Sequence, residues 1–248
     1  MKQAPPSKDS RDYEAKYKYA GDIAEKYNKR RVDEGKWQRE QKEFRDLLAA
    51  IPPGSSIIDV PVGTGRLIPF YKECGLAAEG VDISEDMLRE AGKEADAQGL
   101  QMNFRQGSAD ELPHPNFHCD YVICARLLNW VPFTALEVML NEFARVAKMG
   151  LIVEIRVTYP LTRREYYQTV RTRLMRRPAT FVTDIAKKTM WRKPTTFYLH
   201  NALDVLTLFD NCGLHVVETR TVDRAVKLSQ DVRTHLNIYS LKYNRSST

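Results

Sequence analysis

The stretch Ser56-Ile-Ile-Asp-Val60, continued by Pro61-Val-Gly63-Thr-Gly65-Arg66, decides the fold that we predict for this chain. Its first five residues are mostly apolar, as in a buried strand, and residues 67–74 show a helical pattern. Glycines between a buried strand and a helix let the backbone pass close to a ligand, because no side chain intervenes. A simple tight turn explains two glycines about as well, so this loop alone is a weak signal.

Further strand and helix patterns alternate along the chain, which favours βαβ units and a parallel sheet. Ser84 is a good helix N-cap, and the helix that it begins should close at Gly99. A later helix over 134–148 should end at Gly150. The predicted strands after the first are 78–83, 102–106, 121–125, 151–157, 215–222 and 235–243, and a last helix is predicted over 201–211.

The composition is that of an ordinary globular domain, with 43% hydrophobic residues and a net charge of +6 over 248 residues. No stretch is apolar for the roughly 18 to 20 residues of a membrane helix, and the first ten residues lack the apolar core of a signal peptide. We therefore expect a soluble, cytoplasmic protein with no integral membrane association. The four cysteines form no CxxC pair, so neither a disulfide framework nor a metal site is expected.

The chain divides into two parts and an insertion. Residues 1–50 are predicted as an N-terminal helical extension, with one helical pattern beginning at Asp12 and a second that contains Trp37. Residues 51–248 form the main domain, with an insertion over 160–197. Within it, residues 163–193 hold ten basic and two acidic residues, so the basicity of the chain is local. A solvated helix face, a collar for an anionic small molecule or lipid head group, and a nucleic-acid track all remain open for this basic segment.

Asp82 makes the glycine loop more specific. It follows Gly65 by 17 residues at the end of the second predicted strand, where a carboxylate can accept both hydroxyl protons of a ribose. Ile68 stands where a dinucleotide-binding loop would have its third glycine, and no P-loop motif is present. These observations favour a nucleoside that carries no pyrophosphate.

Three runs then carry a family resemblance: IIDVPVGTGRLIPFY from residue 57, EGVDISEDMLREA from 79 and FRQGSADELPHPNFHCDYVICARLLNWV from 104. They resemble class I S-adenosylmethionine-dependent methyltransferases, nearest the ubiquinone/menaquinone-biosynthesis-like (type 11) group. The resemblance implies an α/β fold with a Rossmann-like seven-stranded sheet, mostly parallel with the last strand antiparallel and helices on both faces. It also implies S-adenosylmethionine as cofactor and a lid role for 160–197.

The resemblance further implies which residues hold the cofactor. Asp59 would help to position the methionine amino group, Asp82 would bind the ribose hydroxyls, and Arg126 would lie close to the methionine end. The backbone at the two glycines of the loop would pass under the cofactor. The other assigned residues would pack beside the adenine or line its other edge. The residues assigned in this way are Asp59, Gly63, Gly65, Asp82, Ile83, Met87, Ser108, Ala109 and Arg126.

Two positions depart from the family pattern. Pro61 replaces a usual glycine but leaves the approach at Gly63 open. Ser108 replaces a usual aspartate that accepts a hydrogen bond from the adenine amino group, so a weaker contact is expected there. Met87 is as consistent with core filling as with a cofactor contact.

The predicted function is methyl transfer by in-line displacement to a small or lipid-like acceptor, with an anionic acceptor as one option. No catalytic base is assigned, and His200 is more typical of a structural histidine than of a base. An RNA or DNA methyltransferase that uses the basic segment, and a non-catalytic cofactor-binding partner subunit, are the alternatives. The stretch Ala125-Arg-Leu-Leu-Asn129 lacks the N-P-P-[YFW] motif, which disfavours amino-group methylation of bases.

Overall fold

The computed structural model describes residues 35–176, 198–227 and 232–243. The helix predicted from Asp12, and the basic segment beyond residue 176, lie outside the described residues. The described chain forms one sheet in the order β3-β2-β1-β4-β5-β8-β7, with a two-residue strand β6 paired to β5. Its strands are β1 (Ser56–Asp59), β2 (Ala77–Asp82), β3 (Asn103–Gln106), β4 (Cys119–Cys124), β5 (Ala147–Pro160), β6 (His200–Asn201), β7 (Leu214–Lys227) and β8 (Val232–Tyr243).

Among the described residues, one helix precedes β1 and the others lie between strands along the chain. Their bounds are α1 (Gly35–Leu48), α2 (Ile68–Glu73), α3 (Glu85–Gln98), α4 (Phe133–Val146), α5 (Arg163–Arg176) and α6 (Ala202–Asn211), with a short 3-10 helix at Leu128–Trp130. Strands β1 to β5 are parallel, and β8 runs antiparallel to both β5 and β7. The predicted α/β, Rossmann-like class and its antiparallel last strand are therefore confirmed.

Two apolar clusters form the core. One unites α4 and α6 with the middle strands and contains the fully buried Phe143, whereas the other contains Phe44 of α1 and Tyr71 of α2. Alternate residues of β5 serve the two clusters, since Val153 lies in the first and Ile152 in the second. This alternation is the reason for a nearly continuous apolar run, because a sheet covered by helices on both faces must be apolar on both.

Local signals set the ends of α3 as predicted. The Ser84 hydroxyl accepts a hydrogen bond from the backbone N–H of Met87, and Glu85 and Asp86 place negative charge in the first turn. Gly99 closes the helix in the left-handed conformation, with φ at 60°.

The prediction that Gly150 ends a helix is wrong. Helix α4 ends at Val146, and Gly150 lies inside β5, opposite Lys242 of β8. A Cβ atom at Gly150 would stand 2.0 Å from the carbonyl oxygen of Leu241, so the glycine is needed for close strand approach. A glycine after a helical pattern is the usual helix stop, and the pattern could not reveal that a later strand presses on it.

The insertion after β5 begins with α5 and continues outside the described residues, so its role as a lid stays a prediction. No helix in the described part of the chain combines the length and the apolar character that a membrane span requires.

Candidate functional site

A cavity of about 450 Å³ opens at the carboxyl ends of β1, β2 and β4. This edge of a parallel sheet is where ligands bind in open α/β folds. Eight of the nine residues assigned to the cofactor line it, and Gly65 is the exception. The eight are Asp59, Gly63, Asp82, Ile83, Met87, Ser108, Ala109 and Arg126.

The two glycines of the loop after β1 have different structural roles. Gly63 has a φ of 57°, and a Cβ atom built on it would meet nothing within 4 Å, so its open side gives backbone access to the cavity. At Gly65 a Cβ would stand 2.7 Å from Ile68 Cδ1 and 3.1 Å from Ala91 Cα. Gly65 therefore permits α2 and α3 to approach each other, and the structure does not bring it to the cavity.

Asp82, at the end of β2, connects the loop after β1 to the residues that follow β2. It is 6% exposed, and its two carboxylate oxygens accept hydrogen bonds from the backbone N–H groups of Gly63 and Ser84, each at 2.9 Å. Burial raises the pKa of Asp82, and these backbone donors oppose that rise. The carboxylate is thus held at a fixed place, with lone pairs left to accept from a diol.

Asp59 lies on the other side of the same loop, at the end of β1. It is 2% exposed, and within the described chain its Oδ1 atom has no hydrogen-bond partner. Burial raises the pKa of Asp59 to about 7, against the lowering effects of the neighbouring Tyr71 hydroxyl and, after it, of the positive charge of Arg66. A buried carboxylate oxygen without a donor fits a ligand that brings a cationic N–H group, such as the amino group of methionine.

The predicted adenine side is formed by Ile83, by Met87 at 4% exposure, and by the loop after β3. In that loop the hydroxyl of Ser108 donates to the carboxylate of Asp110. A hydroxyl that donates to a carboxylate is a better acceptor for a further donor, because the two hydrogen bonds polarise each other. Through this hydrogen bond, Asp110 partly compensates for the aspartate that the family pattern has at residue 108.

The sequence reasoning missed Arg66, which also lines the cavity. It and Arg126 share one carboxylate, because Glu40 of α1 accepts from Arg66 Nη1 at 2.5 Å and from Arg126 Nε at 2.7 Å. The ring of Trp37 stacks on both guanidinium groups, with centroid distances of 4.8 and 4.5 Å. No signal in the sequence paired an acid of the N-terminal helix with these two arginines, which lie 26 and 86 residues away.

The electrostatics of this cluster leave a positive charge at the cavity wall. Glu40 is fully buried, and although burial acts to raise its pKa, Arg66 and Arg126 lower it to about 2. Glu154, at 1% exposure, lies beside them, and burial, followed by the charge of Glu40, raises its pKa to about 8. Near neutral pH two guanidinium groups therefore face one ionised carboxylate.

His200 makes a buried contact with the main chain. It is 3% exposed, and its Nε2 atom is 2.9 Å from the carbonyl oxygen of Leu128. Burial lowers the pKa of His200, so the neutral form that donates to this carbonyl is favoured. Trp130, at the end of the 3-10 helix that contains Leu128, lines the cavity.

Comparison with known proteins agrees with this geometry. Residues 57–150 match the model of a family described as a methyltransferase domain. The chain is 34% identical over 99 residues to phosphatidylethanolamine N-methyltransferase of Cereibacter sphaeroides, covering 39% of this chain and 47% of the relative. It is 32% identical over 117 residues to demethylmenaquinone methyltransferase of Thermus thermophilus, covering 46% and 50%. The chain therefore spans about half the length of these curated relatives.

A solved structure extends the likeness to the whole fold. Magnesium protoporphyrin IX methyltransferase from Synechocystis, with bound S-adenosylhomocysteine (SAH), superposes with a TM-score of 0.58 at 20% identity and covers 84% of each chain. By sequence, residues 57–150 match a methyltransferase domain similar to that of the ubiquinone and menaquinone methyltransferases, and the fold agrees with this likeness. S-adenosylmethionine is the cofactor of this class, as the family resemblance implies.

Proposed function

We propose that this protein transfers the methyl group of S-adenosylmethionine to a small or lipid-like acceptor. The observation that carries the proposal is the set of three groups at one cavity: the buried unpaired oxygen of Asp59, the open backbone at Gly63 and the anchored carboxylate of Asp82. In the order named, they match a cationic amino group, a part of the ligand that passes close to the protein backbone, and a ribose diol. The two curated relatives described above act on such acceptors by their names.

The residues of this chain would bind and orient the cofactor. Asp82 accepts from the ribose, Asp59 accepts from the methionine amino group, and the single net positive charge around Arg126 suits the methionine carboxylate. When bound, S-adenosylmethionine supplies a methyl group that its sulfonium already makes electrophilic, so positioning and exclusion of water count for more than a base. We accordingly assign no general base, and His200 is committed to the Leu128 carbonyl.

A labelled-methyl assay tests the proposal. The purified chain is incubated with methyl-labelled S-adenosylmethionine and, separately, with phosphatidylethanolamine vesicles, a demethylated quinol and total RNA. We expect label in a lipid or small-molecule product, and none with Asp82→Ala. Label in RNA alone would contradict the acceptor class, and tight cofactor binding without transfer to any fraction of a cell extract would favour a non-catalytic subunit.

A further inference from the structure

A second group of chemistry-bearing side chains lies apart from the cavity. Glu79 of β2 and two histidines of the loop between β3 and β4, His114 and His118, place one ligand atom each within 4.8 Å of one another. None of the three lines the cofactor cavity. Glu79 stands three residues before Asp82 on the same strand, which is about 10 Å along it.

The distances among these atoms are close to those between the ligand atoms of one bound ion. His114 Nε2 is 2.9 Å from Glu79 Oε1, and His118 Nε2 is 3.5 Å from Glu79 Oε2. A tetrahedral ion with bonds of about 2.0 to 2.2 Å separates its ligand atoms by roughly 3.3 to 3.5 Å. The His118–Glu79 pair already has this separation, and the His114–Glu79 pair must open by a few tenths of an ångström to reach it.

The three side chains differ in burial in a way that suits ion entry. The side chain of His114 is 1% exposed and that of Glu79 is 13% exposed, whereas that of His118 is 36% exposed. Packing thus fixes His114 and Glu79, whereas the side chain of His118 is free to rotate between solvent and a bound ion. The spacing His-x₃-His is also one that zinc sites use.

Arg105 is the competing partner of this group. Its Nε atom donates to Glu79 Oε1 at 2.5 Å, and the side chain is 53% exposed. Arg105 and His114 both contact Oε1, so the Oε2 atom that faces His118 remains for an ion. A guanidinium on the ligating carboxylate orients it and, by its charge, weakens the ion's attraction.

We infer that Glu79, His114 and His118 bind a divalent transition-metal ion of the zinc type, through three protein ligands and a position open to solvent. Two imidazoles and one carboxylate are a donor set that suits zinc, cobalt and nickel rather than magnesium or calcium. The ion fastens the loop over residues 107–118 to β2. Since Ser108 and Ala109 of that loop line the cofactor cavity, the ion stiffens the adenine side of the site.

Titration with the metal alone tests the inference. Isothermal calorimetry with Zn²⁺, on the full chain without cofactor, should give one site that His118→Ala weakens by about tenfold or more. His235→Ala is the matched control, because His235 lies on β8, on the far side of β1, β4 and β5 in the sheet, and it should leave the affinity unchanged. His118 is partly exposed, so its variant should keep the melting temperature of the metal-free protein.

Arg105→Gln separates a metal site from a simple ion-pair cluster around Glu79. If an ion binds there, removal of the neighbouring positive charge should strengthen Zn²⁺ binding severalfold. Co²⁺ should give the visible d–d bands of a four- or five-coordinate site, without thiolate charge transfer, and His118→Ala should lose them. Equal Zn²⁺ affinity in the original chain and His118→Ala, or no Co²⁺ bands, would overturn the inference and leave an ion-pair cluster only.

Discussion

Ser108 is a single residue whose setting changes what its type predicts. Its hydroxyl donates to Asp110, which makes its oxygen a better acceptor for the amino group of an adenine bound in the cavity. We expect Ser108→Ala to weaken SAH binding by about three- to tenfold, since one net hydrogen bond contributes roughly 0.5–1.5 kcal/mol. Calorimetry measures it.

The same contact predicts base selectivity, which serves as the control. An inosine analogue of SAH has a carbonyl oxygen in place of the amino group, so it cannot donate to Ser108. The original chain should prefer the adenine compound, and Ser108→Ala should lose most of that preference. An unchanged preference in the variant would mean that Ser108 does not read the base.

The burial of Glu154 makes the free energy of unfolding depend on pH. Its pKa is about 8 in the folded protein against an ordinary 4.5, chiefly because it is buried. A carboxyl group with a raised pKa holds its proton better in the folded state, so the free energy of unfolding falls as pH rises from about 4.5 to about 8. Glu154→Gln should remove this loss, and the variant should gain stability relative to the original chain between pH 5 and pH 8.5.

Urea denaturation at the two pH values measures this difference. Glu137→Gln, on the exposed face of α4, is the control and should follow the original chain at both. Parallel pH dependence in the original chain and Glu154→Gln would show that Glu154 ionises normally.

At the scale of an element, α1 is fastened to the cofactor cavity by charge as well as by apolar packing. Glu40→Gln leaves Arg66 and Arg126 buried without a full countercharge, which costs about 3–5 kcal/mol in comparable buried pairs. We expect a clear drop in melting temperature, followed by circular dichroism. Glu43→Gln on the same helix faces Arg220 at 3.5 Å in a partly exposed pair and should cost about 0–1 kcal/mol. Equal losses in the two variants would contradict a special role for Glu40.

Elements with local signals were predicted well, and those set by distant partners were not. The capping of α3 by Ser84 and Gly99 depends on neighbouring residues, and it was correct. Gly150 was misassigned, because its reason is the backbone of Leu241 on β8. The two-residue strand β6 was missed for the same reason, since it exists only through its pairing with β5.

At the scale of the whole molecule, the residues of the candidate site also fall into those with a local sequence signal and those brought together only by distant contacts. The strand-turn-helix pattern and the spacing to Asp82 indicated this edge of the sheet, and the family resemblance supplied the eight assigned residues that line the cavity. Arg66 and Glu40 were not found, because their contact joins an N-terminal helix to two loops that only the complete fold brings together. Gly65 belonged to the same motif as Gly63, and only packing separates the tasks of the two glycines.

The most direct measurement is the calorimetric titration of SAH into the full chain, its Asp82→Ala variant and Asp96→Ala as an exposed control on α3. Loss of charge-assisted hydrogen bonds to the ribose predicts an affinity lower by about 10- to 150-fold for Asp82→Ala. Asp96→Ala should bind like the original chain. Absence of binding by the original chain, or equal affinity in all three proteins, would contradict a nucleoside site at this edge of the sheet.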